Sequence, residues 1–300
     1  DKALAAGVVA SAGTLGSMIP PSILFVLYGI FAEVSIVKLL IAGILPGLME
    51  AAVYTVMIMT RCKLQPHIAP PISKEELLTL KEDRWSALAA VWPLMLLIVG
   101  IIGGLYGGIF TPTEAGAAGA VLAFMIAFLQ GRLSWSVFRE SMMEAITTTS
   151  QIFFVGVGAV MYTKFLAHTG VSFYLAEAID EAAWNPLFLV IASSLIFVVL
   201  GMFLDPLGIL LLTLPVLLPM FERLDLDLVW FGVLVVKYLE IGMLTPPVGF
   251  NVYVIKSVVG DEISLETIFR GVGWFLVCDA VIVALLIAFP QISLFLPNTM

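Results

Sequence analysis

Long uninterrupted runs of apolar residues restrict this chain to a helical fold embedded in a membrane. The run PLFLVIASSLIFVVLGMFL at 186–204 contains no charged residue, and stretches of about 18 or more apolar residues are typical of membrane spans. Strands of a membrane barrel would alternate apolar and polar side chains, which this run does not do. Because lipid-exposed backbone must satisfy its own hydrogen bonds, we expect an all-α polytopic membrane protein. The composition agrees, with 12% charged residues against roughly 25% in soluble domains.

Apolar runs and turn residues divide the chain into successive helical segments. The pair flanking Asp-Pro returns to the side from which it came, either as two full spans or as a re-entrant hairpin. The predicted segments are a broken helix 4–31, a span 36–60, a polar stretch 61–85, spans 86–105 and 113–130, an amphipathic helix 134–148, a span 149–168, a short amphipathic piece 171–183, the apolar pair 186–204 and 208–221, a broken helix 228–258, an amphipathic helix 262–270 and a last span 273–291.

Basic residues predict the orientation of these segments. In the stretch 61–85 they outnumber the acidic residues, so the positive-inside rule places it in the cytoplasm. Counting spans from there puts 33–35, 170–185 and the C-terminus outside. The sequence has no basic face of the kind that binds nucleic acid, and no nucleic-acid partner is expected. The basic residues of the stretch are Arg61, Lys63, Lys74, Lys81 and Arg84.

One unusual phrase occurs twice in the chain. GSMIPPSI at 16–23 and GMLTPPVG at 242–249 each place Gly, three residues and Pro-Pro inside an apolar run. By the charge count, the first helix runs from inside to outside and the second from outside to inside. EVSI at 33–36 is echoed by EISL at 262–265. Two copies in opposite orientation predict an inverted-topology repeat, the architecture of many secondary transporters.

The repeat predicts a division of the chain. Residues 1–60 would be the end of the first repeat, 61–85 a cytoplasmic connection, and 86–300 the second repeat with its hairpin at 186–221. Because that hairpin precedes the second copy, we expect a matching hairpin before the first copy, ahead of Asp1. The chain is therefore expected to be the C-terminal portion of a longer transporter.

The paired prolines predict a chemical role for each break. A proline removes an N–H, so the carbonyl four residues earlier loses its helical partner. The prolines at 246–247 would free the carbonyls of Gly242 and Met243. The prolines at 20–21 would free the carbonyls of Gly16 and Ser17. Freed carbonyls suit a hard cation such as Na⁺, and the N–H groups of the following half-helix suit an anion. The alternative is a kink without a ligand, since proline is common in membrane helices.

Three further acidic residues allow more than one interpretation. Asp205 in GMFLDPLG could cap a helix and shape a hairpin tip, or its carboxylate could coordinate a cation directly, since an acid at membrane depth is a functional candidate. Glu114 is expected to form a cap with Thr111 or Thr113. Glu240 lies three residues from Lys237, which favours a structural ion pair.

Four motifs in order resemble the large membrane subunit of tripartite ATP-independent periplasmic (TRAP) transporters, the DctM-like family. They are AAGVVASAGTLGSMIPPSI, GIFTPTEAGAAGAV, GMFLDPLGILLLTLPVLLP and LEIGMLTPPVGFNVYV. The resemblance covers essentially the whole chain and about the last two-thirds of such a subunit. It implies an elevator-type, Na⁺-driven importer of organic acids in the bacterial or archaeal cytoplasmic membrane. Its partners would be a small four-helix membrane subunit and a periplasmic binding protein that delivers the substrate.

The resemblance also implies the site residues. The first Na⁺ site would use backbone around Gly16, Ile19 and Pro21 together with the absent hairpin. The second would use Gly242 and Thr245 with the hairpin tip, and substrate would lie near the half-helices. Sodium would be the coupling ion, with no transition metal and no other cofactor. The tip residues are Asp205, Leu207 and Gly208, and the substrate residues are Ser22 and Asn251.

Other functions fit the sequence less well. A stand-alone Na⁺/dicarboxylate symporter of related fold would work without a binding protein, but it would typically carry Ser-Asn-Thr runs at its hairpin tips, which are absent. An intramembrane enzyme would need a GxSxG, HExxH or paired-Asp centre, and none occurs, so we expect no catalytic activity. An ion channel would not explain a duplicated, inverted break with a hairpin.

Overall fold

A computed structural model describes residues 1–70, 90–171, 174, 177 and 185–299. Within these ranges the chain forms helices and no strands. The α-helices are α1 (Lys2–Met18), α2 (Ile23–Phe31), α3 (Ile36–Ala42), α4 (Ile44–Leu64), α5 (Trp92–Tyr106), α6 (Pro112–Leu129), α7 (Trp135–Thr169), α8 (Pro186–Gly201), α9 (Pro206–Arg223), α10 (Leu228–Leu244), α11 (Phe250–Val259), α12 (Leu265–Ala288) and α13 (Gln291–Leu294), with 3₁₀ turns at Gly260–Glu262 and Pro297–Thr299.

Several of these helices are long and apolar enough to cross a membrane. Five segments of the described chain meet both conditions, and α1 with α2 forms a sixth when the bent pair is taken as one span. The prediction of an all-helical polytopic membrane protein is therefore confirmed. The five segments are Ile36–Leu64, Pro112–Leu129, Trp135–Thr169, Pro206–Arg223 and Leu265–Ala288.

The chain forms two compact units, 1–61 with 152–300 and 62–151. In the larger unit, four helices (α1, α10, α11 and α12) share a core of small and branched side chains. These residues are buried, and the small ones let the helix backbones approach closely. The core residues are Ala6, Ala10, Leu244, Val252, Ile268 and Val272.

The crossing of α1 and α12 shows why small residues are required in that core. A Cβ on Gly7 would lie 2.6 Å from the backbone carbonyl of Gly271, and a Cβ on Gly271 would overlap the carbonyl oxygen of Ala3. Neither clash can be relieved by rotating a side chain, since the obstructing atoms belong to the backbone. The two helices therefore depend on glycine at both positions.

In the smaller unit, α5 and α6 pack as neighbours, and α6 begins with a capping box. The Thr111 hydroxyl accepts the N–H of Glu114 while the Glu114 carboxylate accepts the N–H of Thr111. This arrangement satisfies two backbone donors that the first turn leaves unpaired. The prediction that Glu114 forms a cap with Thr111 or Thr113 is confirmed, and Thr111 is the partner.

Two predicted helix boundaries are wrong. The segments 134–148 and 149–168 form the single helix α7, and 262–270 joins 273–291 in α12. The polarity of the sequence changes along both helices, but a change of polarity does not interrupt backbone hydrogen bonding, and neither junction contains proline. Residues 71–85, the start of the predicted span at 86–89 and most of the 171–183 piece lie outside the described residues.

Candidate functional site

The helices that carry the two Gly-x-x-x-Pro-Pro motifs, α1 and α10, are built alike. At the start of each helix an aspartate, Asp1 or Asp227, accepts two backbone N–H groups through one carboxylate oxygen. Each helix then ends two residues after its motif glycine, at Met18 and at Leu244.

The two segments that follow these helices also match. Ile19 has φ −82° and ψ 126°, and Thr245 has φ −85° and ψ 134°, so both residues are extended. The Pro20–Pro21 and Pro246–Pro247 peptide bonds are both cis. Helical structure then resumes, and α1 and α2 meet at a bend of 41°.

The restarting helices differ in how they are capped. Ser22 is the N-cap of α2, where its hydroxyl accepts the N–H of Phe25 at 3.5 Å. The N-cap residue of α11 is Gly249, which makes no side-chain cap hydrogen bond. Its φ of 59° is left-handed and therefore suits glycine. Further along, Ser35 caps α3 and Ser264 caps α12, so the echoed sequences EVSI and EISL occupy the same structural position.

The carbonyl of Gly242 is not left without a partner. It accepts the N–H of Thr245 at 3.1 Å, while the Thr245 hydroxyl donates to the carbonyl of Ile241 at 2.6 Å. The prediction that the prolines free the Gly242 carbonyl is therefore wrong, because the last turn tightens to a three-residue hydrogen bond. A carbonyl oxygen and a hydroxyl oxygen each keep a further lone pair, so both oxygens can still coordinate a cation.

Asp205 is the N-cap of α9. Its Oδ2 accepts the N–H groups of Leu207 at 3.0 Å and Gly208 at 3.1 Å. The capping interpretation is confirmed, and the two backbone N–H groups of the tip are occupied by this carboxylate. A cation at the tip would therefore meet the other carboxylate oxygen or backbone carbonyls.

Neighbouring helices pack closely on these motifs. Gly242 faces Gly201 at the end of α8, four residues before Asp205. Beside the first motif, α4 packs against Ile19, since a Cβ on Gly47 of α4 would lie 2.7 Å from the Ile19 side chain. The motif glycine itself is less crowded, because no atom lies within 4 Å of a Cβ on Gly16. Pro21, which follows the cis bond, is exposed.

The two predicted substrate residues contact different partners. Ser22 is 3% exposed and caps its own helix. Asn251, in the first turn of α11, donates its side-chain N–H to the carbonyl of Ala10 in α1 at 3.5 Å. Asn251 thus links the two motif-bearing halves of the larger unit.

A groove of about 560 Å³ lies beside α2, α7 and α9. Its lining includes Leu27, Phe31, Phe153, Val157 and Leu211, all apolar. A carboxylate placed there would lose its hydration without gaining a hydrogen bond, which is unfavourable. This groove does not suit an organic acid.

Sequence reasoning missed a buried group of charges, which we call the Lys237 cluster: Glu50 and Tyr54 of α4, Lys237 and Glu240 of α10, and Asp279 of α12. The Lys237 Nζ lies 2.6 Å from Glu50 Oε1, 2.8 Å from Asp279 Oδ1 and 3.2 Å from Glu240 Oε2. The Tyr54 hydroxyl donates to Asp279 Oδ1 at 2.6 Å. All four charged side chains are fully buried. The sequence did contain a signal for this cluster, because Glu50 and Asp279 are isolated acids in the apolar runs LMEAAVY and VCDAVIV.

Among the described residues, no group of three or more His, Cys, Asp or Glu side chains has an arrangement that could hold a metal ion. The oxygens near the second motif are backbone carbonyls, the Thr245 hydroxyl and the Asp205 carboxylate, which are ligands for hard cations.

Comparison with known proteins decides the family. The family model described as "Tripartite ATP-independent periplasmic transporter, DctM component" matches residues 1–292. The chain belongs to the DctM family. Its members are large permease components of TRAP transporters, and the predicted family resemblance is confirmed.

Individual relatives agree with this assignment. The chain is 33% identical, over 99% of its length and 68% of the relative, to the C4-dicarboxylate TRAP transporter large permease protein DctM of Pseudomonas aeruginosa. It is 34% identical, over 98% of its length and 67% of the relative, to the sialic acid large permease SiaM of Vibrio cholerae. The 2,3-diketo-L-gulonate large permease YiaN of Escherichia coli is 31% identical over 89% of the chain and 61% of that protein. The chain thus spans about two-thirds of the length of these DctM-family permeases.

Proposed function

We propose that this DctM-family chain is part of a secondary transporter that uses a Na⁺ gradient to import a small organic acid. The observation that supports this most strongly is the matching pair of helix ends: each helix stops two residues after a motif glycine and continues as extended chain. Interrupted helices of this kind present backbone oxygens to a cation and helix N–H groups to an anion.

The pair also supports an inverted-topology repeat with two discontinuous membrane helices, α1 with α2 and α10 with α11. The matching Ser35 and Ser264 caps extend the correspondence to the next helix of each copy. In such repeats the binding sites lie near the bilayer midplane, and one part of the protein moves against the other. We place this chain in the elevator class, with α8 and α9 as the re-entrant hairpin of the second copy.

The second Na⁺ site would lie between the start of α9 and the end of α10. Its ligands would come from the backbone at Asp205, Leu207 and Gly208, the carbonyl of Gly242 and the oxygens of Thr245. The contact of Gly242 with Gly201 brings the end of α8 to this position. The first site would use Gly16, Ile19 and Pro21 in the corresponding part of the other copy.

The substrate would be an organic acid, bound at the starts of α2 and α11 near Ser22 and Asn251. The relatives are named for C4-dicarboxylate, sialic acid and 2,3-diketo-L-gulonate, which supports a carboxylate without choosing among them. We further propose a periplasmic binding protein and a small membrane subunit as partners, in a bacterial or archaeal inner membrane. A relative named DctMQ, an isethionate permease 31% identical over 88% of the chain, is consistent with a small-subunit partnership.

Uptake in liposomes tests the proposal. The full permease, its small subunit and its binding protein would be reconstituted together, and labelled C4-dicarboxylates and sialic acid would be supplied under imposed Na⁺ gradients. We expect uptake only with an inward Na⁺ gradient and with binding protein present. Uptake that ignores Na⁺ would refute the coupling, and uptake undiminished without binding protein would favour a stand-alone symporter.

Thr245 offers the sharpest variant for the ion site. Thr245→Val keeps the shape of the side chain and removes the oxygen, so Na⁺ dependence of uptake should weaken while insertion persists. Thr245→Ser retains the hydroxyl and is the matched control. Substitution of Gly242 is less informative, because any side chain there would strike Gly201 and alter packing as well as coordination.

A further inference from the structure

The Lys237 cluster contains more acidic than basic groups. The ammonium of Lys237 is the one cation among three carboxylates, those of Glu50, Glu240 and Asp279, and all four side chains have 0% exposure. Buried carboxylates that lack compensation are costly, and such a group neutralises itself by taking up a proton. The cluster therefore needs at least one proton as a component.

Hydrogen bonds are distributed unequally among the three acids. Asp279 Oδ1 accepts from the Tyr54 hydroxyl, and Glu240 Oε2 accepts from Lys237. Neither oxygen of Glu50 accepts a hydrogen bond of good geometry, although Oε1 lies 2.6 Å from the Lys237 Nζ. Glu50 is thus the one acid of the cluster with neither oxygen hydrogen-bonded, whereas Glu240 and Asp279 each have one oxygen bonded.

We propose that Glu50 is a proton-binding site, at which the buried carboxyl group takes up a proton and forms a neutral acid. The O–H so formed can donate to a neighbouring carboxylate oxygen, since Glu240 Oε1 and Asp279 Oδ2 are also buried without a partner. Both neighbouring acids contact the same Lys237 nitrogen as Glu50, so the three carboxyl groups surround one ammonium. The proton therefore removes the negative charge of Glu50 and at the same time supplies an O–H donor to the cluster.

The groups around Glu50 come from three helices. On α4 itself Tyr54 is bonded to Asp279, on α10 Lys237 and Glu240 face the carboxylate, and α12 contributes Asp279. Lys237 contacts all three acids, so its single positive charge is shared among them and does not balance Glu50 alone. Loss of the proton would leave α4 and α10 with repelling carboxylates at their contact.

This site is separate from the Na⁺ coupling proposed above, and its test does not depend on transport. The measurement is infrared difference spectroscopy of the purified permease in membranes at mildly alkaline pH, in H₂O and in D₂O. Exposed Glu and Asp are ionised under these conditions. We expect a carbonyl stretch of a protonated carboxylic acid that shifts in D₂O and is lost in Glu50→Gln. Glu266→Gln, which changes an exposed acid of α12, is the control and should leave the band unchanged.

Thermal unfolding against pH gives a second readout. Because the folded protein holds a proton that the unfolded chain releases, the melting temperature should fall as pH rises, and Glu50→Gln should reduce this dependence. A wild-type protein without any protonated-acid band would overturn the proposal, even if the variant failed to fold. A band that persists in Glu50→Gln and disappears in Glu240→Gln would overturn the assignment to Glu50.

Discussion

Gly201 and Gly242 meet backbone to backbone where α8 crosses α10. A Cβ on Gly242 would lie 2.6 Å from the Cα of Gly201, and a Cβ on Gly201 would lie 2.8 Å from the Cα of Gly242. The glycine that opens the second Pro-Pro motif is therefore needed for helix packing, a role that sequence reasoning did not consider.

The two motif glycines should respond differently to alanine. Gly242→Ala should destabilise the protein by about 1–3 kcal/mol, the usual cost of overpacking, because the obstructing atoms are backbone. Gly16→Ala should be tolerated, since no atom lies within 4 Å of its Cβ. Thermal unfolding in detergent measures both. Equal melting temperatures for the two variants would contradict the packing described for Gly242.

Two glycines of α12, Gly271 and Gly273, provide a matched pair of alanine variants that tests the crossing of α1 and α12. Gly271→Ala should lower the melting temperature, because its Cβ would strike the carbonyl of Ala3. Gly273→Ala, two residues on, meets nothing within 4 Å and should be neutral or stabilising by about 0.5–1 kcal/mol, as alanine is the better helix former. A stabilising Gly271→Ala would show that the two helices do not pack this closely.

Substitution of Asp205 separates capping from cation coordination. Asp205→Asn keeps an oxygen that can accept the N–H groups of Leu207 and Gly208, so stability should change little. Asp205→Ala removes the cap and should cost about 0.5–2 kcal/mol. If Na⁺ dependence of uptake survives in Asp205→Asn, the negative charge is not a ligand. A large loss of Na⁺ affinity in that variant would support direct coordination by the carboxylate.

Removal of Lys237 should be among the most damaging single changes in the larger unit. Lys237→Met would leave three buried carboxylates without a cation, and breaking a buried pair typically costs about 3–5 kcal/mol. Arg270→Gln is the control, since its ion pair with Glu266 is exposed and such pairs contribute about 0–1 kcal/mol. Folded yield and melting temperature report the difference. Similar values for both variants would mean that the cluster contributes little.

The fold class and the positions of the two helix interruptions could be predicted because their causes are local. Apolar runs of sufficient length specify membrane helices, and two adjacent prolines remove two backbone N–H donors that a continuing helix would need. The Glu114 cap was also a local pattern of residues three apart. The predicted boundaries in α7 and α12 were wrong because they relied on polarity, which does not itself end a helix.

The Lys237 cluster could not be predicted from one sequence. Glu50, Lys237 and Asp279 belong to three helices, and only the tertiary arrangement brings their side chains together. The sequence paired Lys237 with its near neighbour Glu240, which is correct but is the longest of the three contacts. The additional hydrogen bond to the Gly242 carbonyl was likewise missed, because the tightening of the last turn of α10 has no signature in residue type.

The Lys237 cluster also bears on how this part of the molecule can move. Sliding α4, α10 or α12 past one another would separate Lys237 from a carboxylate although both groups are fully buried. The energy of that separation rises steeply with distance in a medium of low dielectric constant. These three helices are therefore expected to travel as a rigid body, with any hinge placed in the loops that connect them to the rest of the chain.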